Sequence, residues 1–160
     1  MQPVPVSYIS DYFIALSNTT GSLITNLKLQ KLVYYAQAWN LAVCKTELIS
    51  EDFQAWIHGP VVPELYNCYK DFKWNPIVRE DLSEEALKTI YSKLSGLSQE
   101  VLSDVVEEYF CMDAYALEKS THNEQPWLQA RIGLAEDEPS TNIISKDSMI
   151  EFYSQYVING

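Results

Sequence analysis

Two histidines and their neighbours hold most of the residue types in this 160-residue chain that could do chemistry. His58 stands before Gly59 and Pro60 in AWIHGPVVPELY, residues 55–66. An imidazole there is a candidate general base, a metal ligand, or an anchor for the turn. General-base work needs a nucleophile or water within hydrogen-bond reach, usually with an orienting carboxylate. Glu64 and Asp71 are the carboxylates near it in sequence, and no recognisable spacing aims either at the ring. The balance favours a structural or partner-contact role for His58. His122 lies in THNEQPWLQAR, residues 121–131, where His122-x-Glu124 matches the H-x-E half of a zinc-deaminase signature. That chemistry also needs a P-C-x-x-C to supply two further ligands. Here Pro126 is followed by Trp127, and the three cysteines (Cys44, Cys68, Cys111) are far apart. Thr121 and Glu124 also have the spacing of a capping box, which explains Glu124 without a metal. Neither a G-x-S-x-G elbow nor a glycine-rich phosphate loop is present. The expectation is a protein with no catalytic, cofactor or metal site and no enzymatic activity; a hydrolase using His58 or His122 with a neighbouring carboxylate is the rival reading.

The aromatic content points instead to binding. There are eleven tyrosines and four tryptophans, and these residues dominate protein interfaces as well as cores. Tyr34 and Tyr35 are adjacent, so on a helix they point about 100° apart and one is available to a partner. Tyr66 and Tyr69 sit three apart beside the His-Gly-Pro turn. Tyr35, Trp56, His58 and Tyr66 are the candidate partner contacts, with core packing as the competing role for each aromatic.

Charge narrows the kind of partner. The net charge is −11, and it is uneven: residues 1–80 hold seven acidic and six basic side chains, residues 81–160 fifteen and five. A duplex-DNA binder needs a basic footprint to displace counterions, so direct nucleic-acid binding and attachment to anionic membranes are both disfavoured. A negative field over the second half suits a basic protein partner, or solubility alone. The start, MQPVPVSYIS, lacks the basic and apolar regions of a signal peptide. The apolar runs fall short of the roughly 18–20 residues that span a bilayer. The expected setting is the reducing cytoplasm, without disulfides.

Seven helical segments would position these residues. The first runs from a Ser7 cap to about Ser17, with Ile9, Tyr12, Phe13 and Leu16 on one face. Thr25 caps the strongest pattern, NLKLQKLVYYAQAWNLAV, whose stripe is Leu29, Leu32, Val33, Ala36, Trp39 and Val43, with Lys28, Lys31 and Gln37 off its centre. Phe53, Ala55 and Ile57 alternate as a short strand ending at His58-Gly59-Pro60, and 142–144 suggests a second. Pro63 opens the next helix, Ser83 another to about Leu94, and Ser98 a long one through Leu117. The Thr121–Glu124 box starts a short helix to Arg131, an acidic loop follows from Gly133 to Thr141, and Ser145 caps the last helix. The expectation is a mainly α protein: a single compact helical domain of six or seven helices with a minor two-strand β element, over 1–160 with its core at about 7–156.

Three motifs in combination resemble a known family. L-x-K-L-x-Y-x-A-Q within ITNLKLQKLVYYAQAW (24–39), A-W-x-H-G-P-V with P-x-L-Y within FQAWIHGPVVPELYNCYKDF (53–72), and H-x-E-x-P-W within THNEQPWLQAR (121–131) are similar to those of the Panacea domain, also described as SocA-like antitoxin or phage-associated GepA-like. The resemblance implies a mainly helical antitoxin of bacterial or prophage origin that binds and neutralises a cognate toxin protein, here expected to be basic. It also implies two alternatives: an adaptor that delivers its toxin to a bacterial ATP-dependent protease, and a phage-encoded protein with a host target.

Overall fold

The segment richest in apolar residues, 26–44, carries them on more than one face, and a helix of that kind must be buried all round. A computed structural model describes residues 2–157 and places this helix at the centre. The chain runs α1 (Val6–Thr20), α2 (Asn26–Cys44), β1 (Gln54–Trp56), β2 (Gly59–Val61), α3 (Pro63–Tyr69), a 3-10 turn (Lys70–Phe72), α4 (Glu84–Ser92), α5 (Gly96–Tyr109), α6 (Ala114–His122), α7 (Gln125–Ala130) and α8 (Lys146–Ser154). Helix α2 packs against α1, α3, α5, α6, α8 and β2, while α4 lies on α1 and α7 on α8. The buried apolar residues form one cluster around it.

The mainly helical class and the small sheet agree with the sequence pattern, and local chemistry explains where the boundaries differ. Thr25, Ser83 and Ser145 cap α2, α4 and α8 by accepting from the backbone N–H three residues on. Pro63 takes the first position of α3. Helix α1 starts one residue before Ser7, directly after Pro5. Helix α5 starts at Gly96, with Ser95 as its cap accepting from the Ser98 N–H, so Ser98 lies inside the helix.

The single long helix expected over 98–117 is two, which brings the count to eight α-helices among the described residues. Asp113 caps α6 through the Ala116 N–H at 2.8 Å, and Lys28 Nζ donates to the Phe110 carbonyl at 2.6 Å where α5 ends. The Thr121–Glu124 capping box is not formed. Thr121 lies within α6 and donates to the Glu118 carbonyl, and Glu124, although it precedes α7, turns its carboxylate inward.

The strand pairing also differs. β1 pairs antiparallel with β2 in a hairpin, with Gln54 opposite Val61, Trp56 opposite Gly59, and Ile57-His58 as the two-residue turn. The Gly-Pro that reads as a strand terminator is therefore part of the partner strand. Residues 142–144 run along the other side of β1 and contribute only an isolated bridge, Ile143 to Gln54.

Candidate functional site

Helix α2 buries Lys28, Gln30, Lys31, Gln37 and Asn40 along with its apolar residues, and buried polar groups need partners. Four of the five find theirs in the loops and ends of other elements. Gln37 accepts from the Leu48 and Ile49 N–H groups at 2.8 and 3.1 Å and donates to the Ile49 carbonyl. Gln30 accepts from the Val62 N–H at 3.1 Å, which fixes the exit of β2. Asn40 accepts from the Ser98 hydroxyl at 2.7 Å, and Lys28 holds Phe110. Lys31 is the exception: it is 1% exposed and its Nζ has no hydrogen-bond partner. Burial lowers its pKa to about 7, with the charge of Glu118 opposing.

The three sequence motifs meet above Lys31. Gly59 has φ +108°, and a Cβ there would lie 2.7 Å from Lys31 Cε and 3.0 Å from Thr121 Oγ1. Glycine is required both by backbone conformation and by the closeness of α2 and α6. Trp127 Nε1 donates to the Trp56 carbonyl at 2.9 Å, and Arg131 Nη1 to the Ala55 carbonyl at 2.7 Å. The His122 ring stacks on Trp127 at 3.9 Å between centroids, and the Arg131 guanidinium lies 4.9 Å from the Trp127 ring. His122 Nε2 is buried without a partner, and burial chiefly lowers the pKa of the ring; the Lys31 charge adds to this and Glu118 opposes it.

A second polar knot lies deeper. The Tyr35 hydroxyl donates to Glu124 Oε1 at 2.7 Å and lies 2.6 Å from the Ser120 hydroxyl. The Tyr153 hydroxyl donates to the same Oε1 at 2.9 Å and sits 3.1 Å from that of Tyr34. Burial raises the pKa of Glu124, while the two tyrosine hydrogen bonds lower it. Tyr34, Tyr35 and Tyr153 are all raised, first by burial. His122 and Glu124 are thus committed to different networks. Among the described residues, no group of three or more His, Cys, Asp and Glu is placed to hold a metal ion.

The four candidate contacts separate clearly. Tyr35 must be corrected: it is fully buried, stacked on Tyr109 at 4.0 Å and tied to Glu124, so it has no face for a partner. Trp56 and Tyr66 are half-buried and pack against each other at 5.0 Å, with Trp56 Nε1 donating to Gln54. His58 is exposed at the hairpin turn, and its Nδ1 lies 2.6 Å from Glu118 Oε1. The orienting carboxylate is thus Glu118, 60 residues on, and not Glu64 or Asp71. The nearby Thr121 hydroxyl donates to the Glu118 carbonyl. The hairpin thus contributes Trp56 to a ring pair with Tyr66 and His58 to an imidazole–carboxylate pair with Glu118.

A second surface feature has no motif in the sequence. Between α2, α5 and the end of α8 runs a groove of about 680 Å³. Trp39, Val43, Val101, Val105, Tyr109, Tyr156 and Val157 line it, together with Asp104, Glu107 and Glu108. Trp39 Nε1 donates to the Tyr109 hydroxyl at 2.9 Å, which fixes two of these aromatics. The one sequence signal for it was the acidic second half of the chain.

These features define a helical domain built round one largely buried helix, with a short hairpin clamped to it by two later helices. The chain belongs to the family described as Antitoxin SocA-like, Panacea domain, whose model matches residues 29–128. That span includes all but the first three residues of the central helix, the hairpin and the His122–Trp127 segment. A curated relative, Antitoxin SocA of Caulobacter vibrioides (strain NA1000 / CB15N), is 29% identical over 84 residues. The alignment covers 52% of this chain and 45% of that protein, so the match spans less than half of the relative. No solved structure matches.

Proposed function

We propose that this chain is the antitoxin of a toxin–antitoxin pair and neutralises its toxin by direct protein–protein contact. The observation that carries this reading is the family match over 29–128, the residues that build the hairpin and its clamp. The structure supports a binding role in a specific way. Gly59, Trp127 and Arg131 hold the hairpin against α2 and Glu124 ties α2 to α8, while Trp56, His58 and Tyr66 keep exposed or half-buried side chains in or just after the hairpin. Rigid, half-buried aromatics make strong contacts at low entropic cost. The acidic second half favours a basic toxin. A nanomolar complex is worth about 12 kcal/mol, which suffices to hold a toxin occluded without any catalysis. Its three free cysteines fit the reducing cytoplasm.

The test is co-expression with the product of the adjacent gene, scoring growth and co-purification. Restored growth with a complex that neutralises at equal molar amounts supports occlusion. Neutralisation at a small fraction of the toxin concentration would replace this reading with an enzymatic one. Rescue that disappears in a host lacking its ATP-dependent protease would replace it with the adaptor. Neither binding nor rescue would sink the assignment for that pair.

A further inference from the structure

We infer that the groove between α2, α5 and the end of α8 seats a basic, amphipathic helix of the toxin partner. This rests on the antitoxin reading and adds a second contact surface to the hairpin face. The floor is apolar and held in place. Val101 and Val105 are core residues, and Tyr109 is fixed by the Trp39 hydrogen bond and by stacking on Tyr35. Tyr156 forms an exposed wall, 60% accessible, beside Val157. A concavity of this size takes several apolar side chains from one face of a helix.

The charge on the lip selects the occupant. Asp104, Glu107 and Glu108 fall at i, i+3 and i+4 on α5, so they make one acidic edge about one helical turn long. Among the described residues, none of the three takes part in an ion pair, and no Lys, Arg or His lines the groove. Like charges at i, i+4 disfavour a helix, so Asp104 and Glu108 carry a repulsion that a cationic neighbour relieves. Lysines or arginines flanking an apolar stripe at the same i, i+3, i+4 spacing match both the floor and the lip. A second copy of this chain is a poor occupant, because its net charge of −11 opposes the acidic edge.

The probes are two synthetic amphipathic peptides about four turns long, with the same leucine face and either lysine or glutamate on the polar face. The readout is the indole N–H signals of the full chain in a nitrogen–proton correlation spectrum, with Trp39→Phe identifying the Trp39 resonance. The lysine peptide should shift Trp39, bind more weakly as salt rises, and lose roughly tenfold or more in affinity to the Glu107→Lys/Glu108→Lys variant. Glu107→Gln/Glu108→Gln should fall between. Both glutamates are exposed, and an unchanged indole spectrum checks that the variants fold. Equal binding of the two peptides, a shift at Trp56 instead of Trp39, or unchanged affinity in the charge-reversed variant would overturn the inference. So would sedimentation showing that the groove joins two copies of the chain. In the co-expression assay, a wild-type chain that rescues while the charge-reversed one does not supports the groove. Equal rescue by both rejects the groove and leaves the antitoxin reading intact. Failure of the wild type rejects that reading, and the peptide experiment then decides the groove alone.

Discussion

The hairpin clamp and the acidic groove stand in opposite relation to the sequence. The clamp is dense in memorable residues, and nearly all of them face inward: Lys31 under Gly59, Trp127 on His122, Glu124 between Tyr35 and Tyr153. The groove is lined by ordinary valines, tyrosines and glutamates in no recognisable order, and its surface is left uncovered. A family motif therefore marks where the fold is hard to make. A docking surface for a variable partner can be written in residues that need no motif at all.

That contrast can be broken or sharpened by substitution, and the largest effects belong to the clamp. Trp127→Ala removes the ring that holds His122, Arg131 and the Trp56 carbonyl together, and it should cost about 3–5 kcal/mol in urea unfolding. Gly59→Ala should cost about 2–4 kcal/mol, from the positive φ and from the collision with Lys31 Cε. A loss below about 0.5 kcal/mol at Gly59 would mean that the hairpin is not held tightly against α2.

Lys31→Met should act in the other direction. The unfolded chain keeps the Lys31 proton up to about pH 10.5 and the folded chain only up to about 7. Between those limits unfolding takes up a proton, so stability rises with pH, by at most about 1.4 kcal/mol per unit. Below pH 7 both states are protonated and the full cost of burying the charge is present. His122, with its pKa lowered, adds a slope of the same sign below pH 6.5. Comparing urea midpoints at pH 7 and 9 should show that Lys31→Met flattens the upper slope and adds about 1–3 kcal/mol at pH 7. A destabilised Lys31→Met protein would show that the amine is partnered. The smallest effects belong to the surfaces: His58→Ala and Glu107→Lys/Glu108→Lys should each change stability by less than about 0.5 kcal/mol while weakening toxin binding. If His58→Ala instead melts the protein, the hairpin turn is part of the clamp.

Much of the scaffold was legible. Periodicity located α1 and α2, the start residues Pro63 and Ser83 located α3 and α4, and Thr25 and Ser145 are the caps that residue type and position point to, whereas Ser7 and Ser98 lie inside their helices. The break between α5 and α6 was hidden because Met112, Ala116 and Leu117 continue the apolar phase, and because the lysine that caps the break lies 82 residues away. The capping box was misread for a related reason. A carboxylate with correct local spacing was claimed by two distant tyrosines. The candidate site was legible only as a region. Trp56, His58 and Tyr66 lie in or just after the hairpin with exposed or half-buried side chains, whereas Tyr35, also expected as a contact, is buried in the core. The spread of apolar residues of α2 over more than one face was the available sign that its polar residues, Lys31 among them, would also be enclosed.

The wiring of α2 has a consequence for how the chain is made. Its polar side chains wait for partners spread along everything that follows: 11 residues on for Gln37, 32 for Gln30, 58 for Asn40, 89 for Tyr35 and 119 for Tyr34. At ribosomal speed, Tyr153 emerges about 6–24 s after Tyr34. The helix at the centre of the finished protein is thus among the first synthesised and the last completed. A stalled or prematurely released chain keeps its most apolar segment open to chaperones and proteases until α8 arrives to close it.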